Sequence, residues 1–151
     1  MENSLIVKSE ILINATAEKV WDVLTNPAQT KKYMFGCETV SDWKVGSELL
    51  WRGEWEGEVM VFVKGLIVEI VPNKKLAYTT IDPNNTAIAD IPVNYLTVTY
   101  QLENQGNKTL LIVTQGDYNK VADGERRYQE AYNNGEGWNP ILVQMKQIAE
   151  Q

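Results

Sequence analysis

The sequence contains no histidine and only one cysteine, Cys37. Without an imidazole, His-based triads, His-ligated zinc and His acid–base catalysis are all excluded. A lone cysteine cannot close an internal disulfide, which suits a reducing compartment and predicts a cytoplasmic chain. With no histidine to activate it, Cys37 reads as a packed thiol rather than a nucleophile. No window approaches the roughly 20 apolar residues that span a bilayer, and residues 1–8 lack a basic stretch leading into an apolar one. The chain is therefore expected to be neither exported nor inserted in a membrane. Basic side chains are also in the minority, 14 Lys and Arg against 20 Asp and Glu, for a net charge of −6. They cluster only as Lys31-Lys32, Lys74-Lys75 and Arg126-Arg127. Such a surface repels a phosphate backbone, so no nucleic-acid partner is expected.

Metal and phosphate motifs are missing too. Asp82, Asp90, Asp117 and Asp123 fall in loop-like segments but lack the spacing of an EF-hand, and no metal or cofactor is assigned. Gly135-Glu136-Gly137 has neither the preceding strand nor the following lysine of a phosphate cradle, and reads as a bend into the last helix. No internal repeat, low-complexity segment or linker divides the chain, and 151 residues are expected to form a single domain.

The residues present alternate between strand and helix periods. Residues 5–13 are β-rich, with Lys8 and Glu10 on alternate positions, and form a first strand. From Thr16 the period changes: Ala17, Val20, Trp21 and Leu24 make one helical stripe, capped by Thr16 with Glu18 in the first turn. Asn26-Pro27 ends that helix and starts a second over 27–34, since Asn suits the cap and Pro the first helical position. The first strand is thus left without a hairpin neighbour and must pair later in the chain. Strand signals then recur over 38–43, 48–56, 58–71 and 76–81, with hairpin turns at Gly46-Ser47 and Glu56-Gly57. An exposed loop runs from Asp82 to about Pro92. Residues 95–103 alternate cleanly, with Leu96, Val98, Tyr100 and Leu102 on one face, and pair with 109–115. The rest is helical in two stages, a polar segment over 120–133 and an apolar stripe of Trp138, Ile141, Leu142, Met145 and Ile148. Asn139-Pro140 restarts or kinks the helix between them.

This order resembles the START-like superfamily, also called SRPBCC, which includes the birch-pollen-allergen fold and polyketide cyclases. Residues 11–27 (Ile-Leu-Ile-Asn-Ala-Thr-Ala-Glu-Lys-Val-Trp-Asp-Val-Leu-Thr-Asn-Pro) are similar to the entry of the family named after the activator of heat-shock protein 90 ATPase. Val45-Gly46-Ser47, residues 65–72 (Gly-Leu-Ile-Val-Glu-Ile-Val-Pro), Lys75-Leu76-Ala77-Tyr78, and Gly137-Trp138 leading into Leu142 and Met145 continue the pattern in order. The resemblance implies an α+β helix-grip fold, with a curved antiparallel sheet of about six or seven strands around a long C-terminal helix. It also implies a cavity between sheet and helix, used by different members for lipids, aromatic polyketides or hormones. Fold alone does not fix which activity a member has.

Aromatic rings with a polar tip suit a pocket that holds an apolar body and orients it by one or two hydrogen bonds. Tyr33, Trp51, Trp55, Tyr78, Tyr100, Trp138, Leu142 and Met145 are the candidate ligand-binding residues; no catalytic residue is assigned. Trp51 and Trp55 share a face if the strand is regular, although Trp21 and Trp138 also suit ordinary core packing. Arg52, Glu54, Glu56 and Glu58 read as a solvated, ion-paired strand face. Three functions stay open: a binder of a small apolar or aromatic molecule, an enzyme with a Tyr or Glu proton carrier, and an interaction module that binds a chaperone or forms a homodimer.

Overall fold

The computed structural model describes residues 5–151, so the opening 1–4 of the N-terminal stretch lie outside the described residues. Seven strands form one antiparallel sheet in the order β1-β7-β6-β5-β4-β3-β2. They are β1 (Val7–Ile13), β2 (Glu38–Ser41), β3 (Glu48–Trp55), β4 (Glu58–Val71), β5 (Lys75–Thr80), β6 (Leu96–Gln105) and β7 (Lys108–Gly116). The helices are α1 (Ala17–Thr25), α2 (Pro27–Tyr33), α3 (Gly124–Tyr132) and α4 (Asn139–Ala149). β1 finds its partner at the far end of the chain, with Val7 opposite Gln115 and Ile13 opposite Thr109.

Local chemistry sets the boundaries. Thr16 Oγ1 accepts from Lys19 N at 3.3 Å at the start of α1. Asn26 ends α1 and caps α2, its Oδ1 accepting from Ala28 N at 2.9 Å, with Pro27 at the position that needs no N–H donor. Glu56 and Gly57 join β3 to β4 with φ of 51° and 82°, the left-handed pair of a two-residue hairpin turn. The long β4 stays continuous through two register shifts, opposite Trp51/Arg52 on β3 and at Ile67/Glu69 against β5.

β6 buries Leu96, Val98, Tyr100 and Leu102 and turns the alternate residues outward, the signature of a sheet wetted on one side. These side chains, with Leu76 and Tyr78 of β5 and Leu111 and Val113 of β7, form one core with Val20 and Leu24 of α1 and Leu142 and Met145 of α4. Each such side chain removed from water contributes about 1.5–3 kcal/mol before entropy is counted.

The C-terminal helical region is broken. Asn133, Asn134, Gly135 and Gly137 have positive φ, so α3 ends and α4 restarts at a new angle, with Pro140 in its first turn. α4 packs mainly on β1, α1 and α2. Lys146 Nζ donates to Leu12 O at 3.0 Å, and Glu150 accepts from Asn14 N at 2.8 Å, which pins its end to β1. The inner face of the sheet toward β3 and β4 is thereby left incompletely covered.

Candidate functional site

The uncovered region is a hollow of about 530 Å3 between the inner face of β3–β7 and the corner where α3 meets α4. Trp51, Phe62 and Val63 form one wall, Tyr78 and Val98 the floor, and Trp138 and Ile141 the opposite wall. Met34, Phe35 and Cys37 border it from the end of α2, and Phe35 is 88% exposed with φ of 53°, so its ring stands at the mouth. Cys37 is buried, and burial pushes its thiol upward from the ordinary value.

A continuous run of aromatic rings underlies the hollow. Trp51 and Tyr78 have centroids 6.2 Å apart, Tyr78 and Tyr100 5.6 Å, and Tyr100 and Trp138 5.9 Å with nearly perpendicular planes. The Tyr78 and Tyr100 hydroxyls share a hydrogen bond of 2.8 Å, and Tyr33 OH donates to Val23 O at 2.9 Å. Burial holds the Tyr33, Tyr78 and Tyr100 phenols above their ordinary range, so all three are protonated at neutral pH and serve as hydrogen-bond donors rather than as bases.

The candidate residues separate into three groups. Trp51, Tyr78 and Trp138 border the hollow. Tyr33, Tyr100, Leu142 and Met145 are each no more than 2% exposed and lie in the packed core behind it, not on its surface. Trp55 lies elsewhere, 60% exposed near the end of β3. A regular strand would put Trp51 and Trp55 on one face. The register shift opposite Trp51 and Arg52 places its extra residue, Phe62, on β4, while β3 keeps its alternation through Gly53, which faces Phe62 and Cys37. Trp55 reaches solvent because it sits at the hairpin end of β3, past those covering residues. Arg52, Glu54, Glu56 and Glu58 are all exposed.

The sequence reading missed Phe62, Val98, Gln115 and Ile141 as lining residues. Val98 and Gln115 had a usable signal, since each continues the inward phase of its strand, and a glutamine in a buried phase needs a polar reason. Phe35 had none, because its position depends on a left-handed turn after α2. Gln115 accepts from Trp138 Nε1 at 2.9 Å, tying the last strand to the first turn of α4. Glu130 at the rim is exposed and ion-paired to Arg126 at 2.6 Å.

A second recess, on another part of the surface, adjoins Lys64, Asp90 and Tyr95. Lys64 and Tyr95 each approach the Asp90 carboxylate to 2.5 Å. Their hydrogen bonds hold that carboxyl below its usual range, and the charges of Lys64 and Asp90 largely cancel. No group of His, Cys, Asp or Glu suited to a metal ion occurs among the described residues. No helix among them is long and apolar enough to cross a membrane.

Comparison with known proteins follows the same outline. The family model described as "Activator of Hsp90 ATPase homolog 1-like protein" matches residues 14–150. A solution structure from Cytophaga hutchinsonii is 35% identical, covering 97% of this chain and 98% of that one, with a TM-score of 0.69. The Aha1 dimer from Colwellia psychrerythraea is 20% identical over 96% of both chains, with a TM-score of 0.68. An HSP90 activator from Plasmodium falciparum is 18% identical, covering 91% and 94%, with a TM-score of 0.62. The last two likenesses speak to fold. A search of curated proteins gave no match.

Proposed function

The chain belongs to the activator of Hsp90 ATPase homolog 1-like family, and from that premise we propose that it binds a small apolar molecule in the hollow between the sheet and the α3–α4 corner. One observation carries the reading: about 530 Å3 stays open beneath α4 although the surrounding core is tightly packed. That volume lies within the roughly 300–1,000 Å3 typical of small-molecule sites. Its walls are mainly apolar, so a guest that covers them removes apolar surface from water. The lone thiol suits residence in the cytoplasm, and the chain acts there as one domain.

Uptake of the neutral probe N-phenyl-1-naphthylamine tests the reading. The chain takes up one equivalent saturably with enhanced fluorescence, and Ala131→Trp, which fills the hollow from α3, abolishes uptake while leaving the melting temperature within a few degrees. Equal uptake by that folded variant would place the probe elsewhere and end the proposal.

A second reading has its own support. β4 leaves Val59, Leu66 and Val68 at 67%, 48% and 49% exposure, with Leu66 and Val68 adjacent on one face, and exposed apolar side chains of this kind mark protein contact surfaces. One structural relative is the Aha1 dimer and another is an HSP90 activator. On this reading the outer face meets a second copy or a chaperone. Sedimentation showing a monomer at high concentration, with no Hsp90 association, would remove it.

A further inference from the structure

The hydroxyls of Tyr78 and Tyr100 are 2.8 Å apart and are each other's hydrogen-bond partners among the described residues. Two phenols carry two protons, and one bond between them uses only one. If Tyr78 donates, the proton of Tyr100 faces a sealed core, since Tyr100 is 0% exposed and does not border the hollow. A buried donor without an acceptor costs about 1–3 kcal/mol. If Tyr100 donates instead, the spare proton is on Tyr78, which is only 2% exposed but, unlike Tyr100, borders the hollow. The second arrangement lets a guest in the hollow take that proton.

Gln115 supplies a second spare donor. Trp138 Nε1 can only donate, so the Gln115 atom 2.9 Å from it is the amide oxygen. The Gln115 NH2 is then left without a hydrogen-bond partner among the described residues. Tyr78 lies opposite Val98 across β5 and β6, and Val98 lies opposite Gln115 across β6 and β7. The two donors therefore flank Val98 on one cross-strand row of the floor. No lysine or arginine lines the hollow, and its one carboxylate, Glu130, is at the rim.

We infer that the guest of this hollow is a neutral apolar molecule carrying a carbonyl-type oxygen, seated on Tyr78 and Gln115 as hydrogen-bond donors. This rests on the hollow being a binding site, as proposed above. A hydrocarbon leaves both donors unpaired. An alcohol or neutral amine can accept one of these bonds but brings a proton of its own for which the floor offers no free acceptor. A carboxylate meets no cation on the lining and would be desolvated without a charge partner. Burial, which keeps the Tyr78 phenol protonated, favours the same guest.

Equilibrium dialysis with three rings of one shape tests this: fluorene, 9-fluorenone and fluorene-9-carboxylate. The expected order puts fluorenone about tenfold tighter than fluorene, the equivalent of about 1.4 kcal/mol. The carboxylate is weakest, and the infrared carbonyl band of bound fluorenone shifts to lower frequency. Tyr78→Phe and Gln115→Leu each lower the ratio of fluorenone affinity to fluorene affinity. Should Tyr78→Phe fail to fold, Gln115→Leu and the wild-type carbonyl band decide. Equal binding of fluorene and fluorenone, tightest binding of the carboxylate, or a preference that survives both substitutions overturns the inference while the binding site stands. If none of the three binds, the binding site itself is wrong, and the inference falls with it.

Discussion

Gly65 shows how closely single residues are constrained in this sheet. A Cβ built on it would lie 1.6 Å from the backbone oxygen of Thr79, so β4 and β5 meet there at a distance only glycine permits. The neighbouring bridge between Lys64 and Ile81 depends on that approach. Gly65→Ala is expected to cost about 3 kcal/mol, because backbone rather than a flexible side chain must move. Chemical denaturation measures it, and a loss below 1 kcal/mol would mean the strands separate easily. Trp51 and Trp55 illustrate a limit at the same scale. Both are tryptophans on one strand, yet Trp51 is covered by the rest of the molecule while Trp55, beside the hairpin turn, is left in solvent.

The β3–β4 hairpin carries a built-in compromise at the level of elements. Its turn requires positive φ at both positions, and Glu56 occupies the first at 51°. Asparagine tolerates that region better than glutamate, so Glu56→Asn is expected to stabilise by about 0.5–1 kcal/mol and raise the melting temperature by roughly 1–4 °C. An unchanged or lower melting temperature would show that the turn is not under strain. Much at this scale was legible in the sequence. The caps at Thr16 and Asn26, the alternation of β6 and the unpaired first strand all found their expected places. Those features are written in neighbouring residues. Bulges and the placement of α4 on β1, α1 and α2 are not, because they depend on contacts between segments far apart in sequence. That placement decides which apolar residues line the hollow and which sit behind it. Leu142 and Met145 share the apolar stripe of α4 with Ile141, yet Ile141 alone of the three borders the hollow.

For the molecule as a whole, the density of buried phenols predicts its response to alkali. Burial raises Tyr33, Tyr78 and Tyr100 above the ordinary value of 10.0, and Tyr118 is pushed up to about 12. In the unfolded chain these groups ionise near 10, while the folded chain keeps them protonated. Below pH 10 both states hold the protons, so this contribution is fully present and stability is flat. Above it the unfolded state sheds protons first, and stability falls with rising pH. Unfolding followed by circular dichroism should coincide with phenolate absorbance, and Tyr118→Phe should make the fall shallower. Smooth ionisation of all tyrosines near pH 10 without unfolding would contradict the burial described.

The five tryptophans offer the most direct test of the hollow as a binding site. Trp51 and Trp138 border it, whereas Trp21, Trp43 and Trp55 do not. In a titration of 15N-labelled protein with 9-fluorenone, the indole N–H resonances of Trp51 and Trp138 are expected to move together and saturate, while the other three hold still. Movement confined to Trp55, or no movement at any indole on addition of excess probe, would contradict the account.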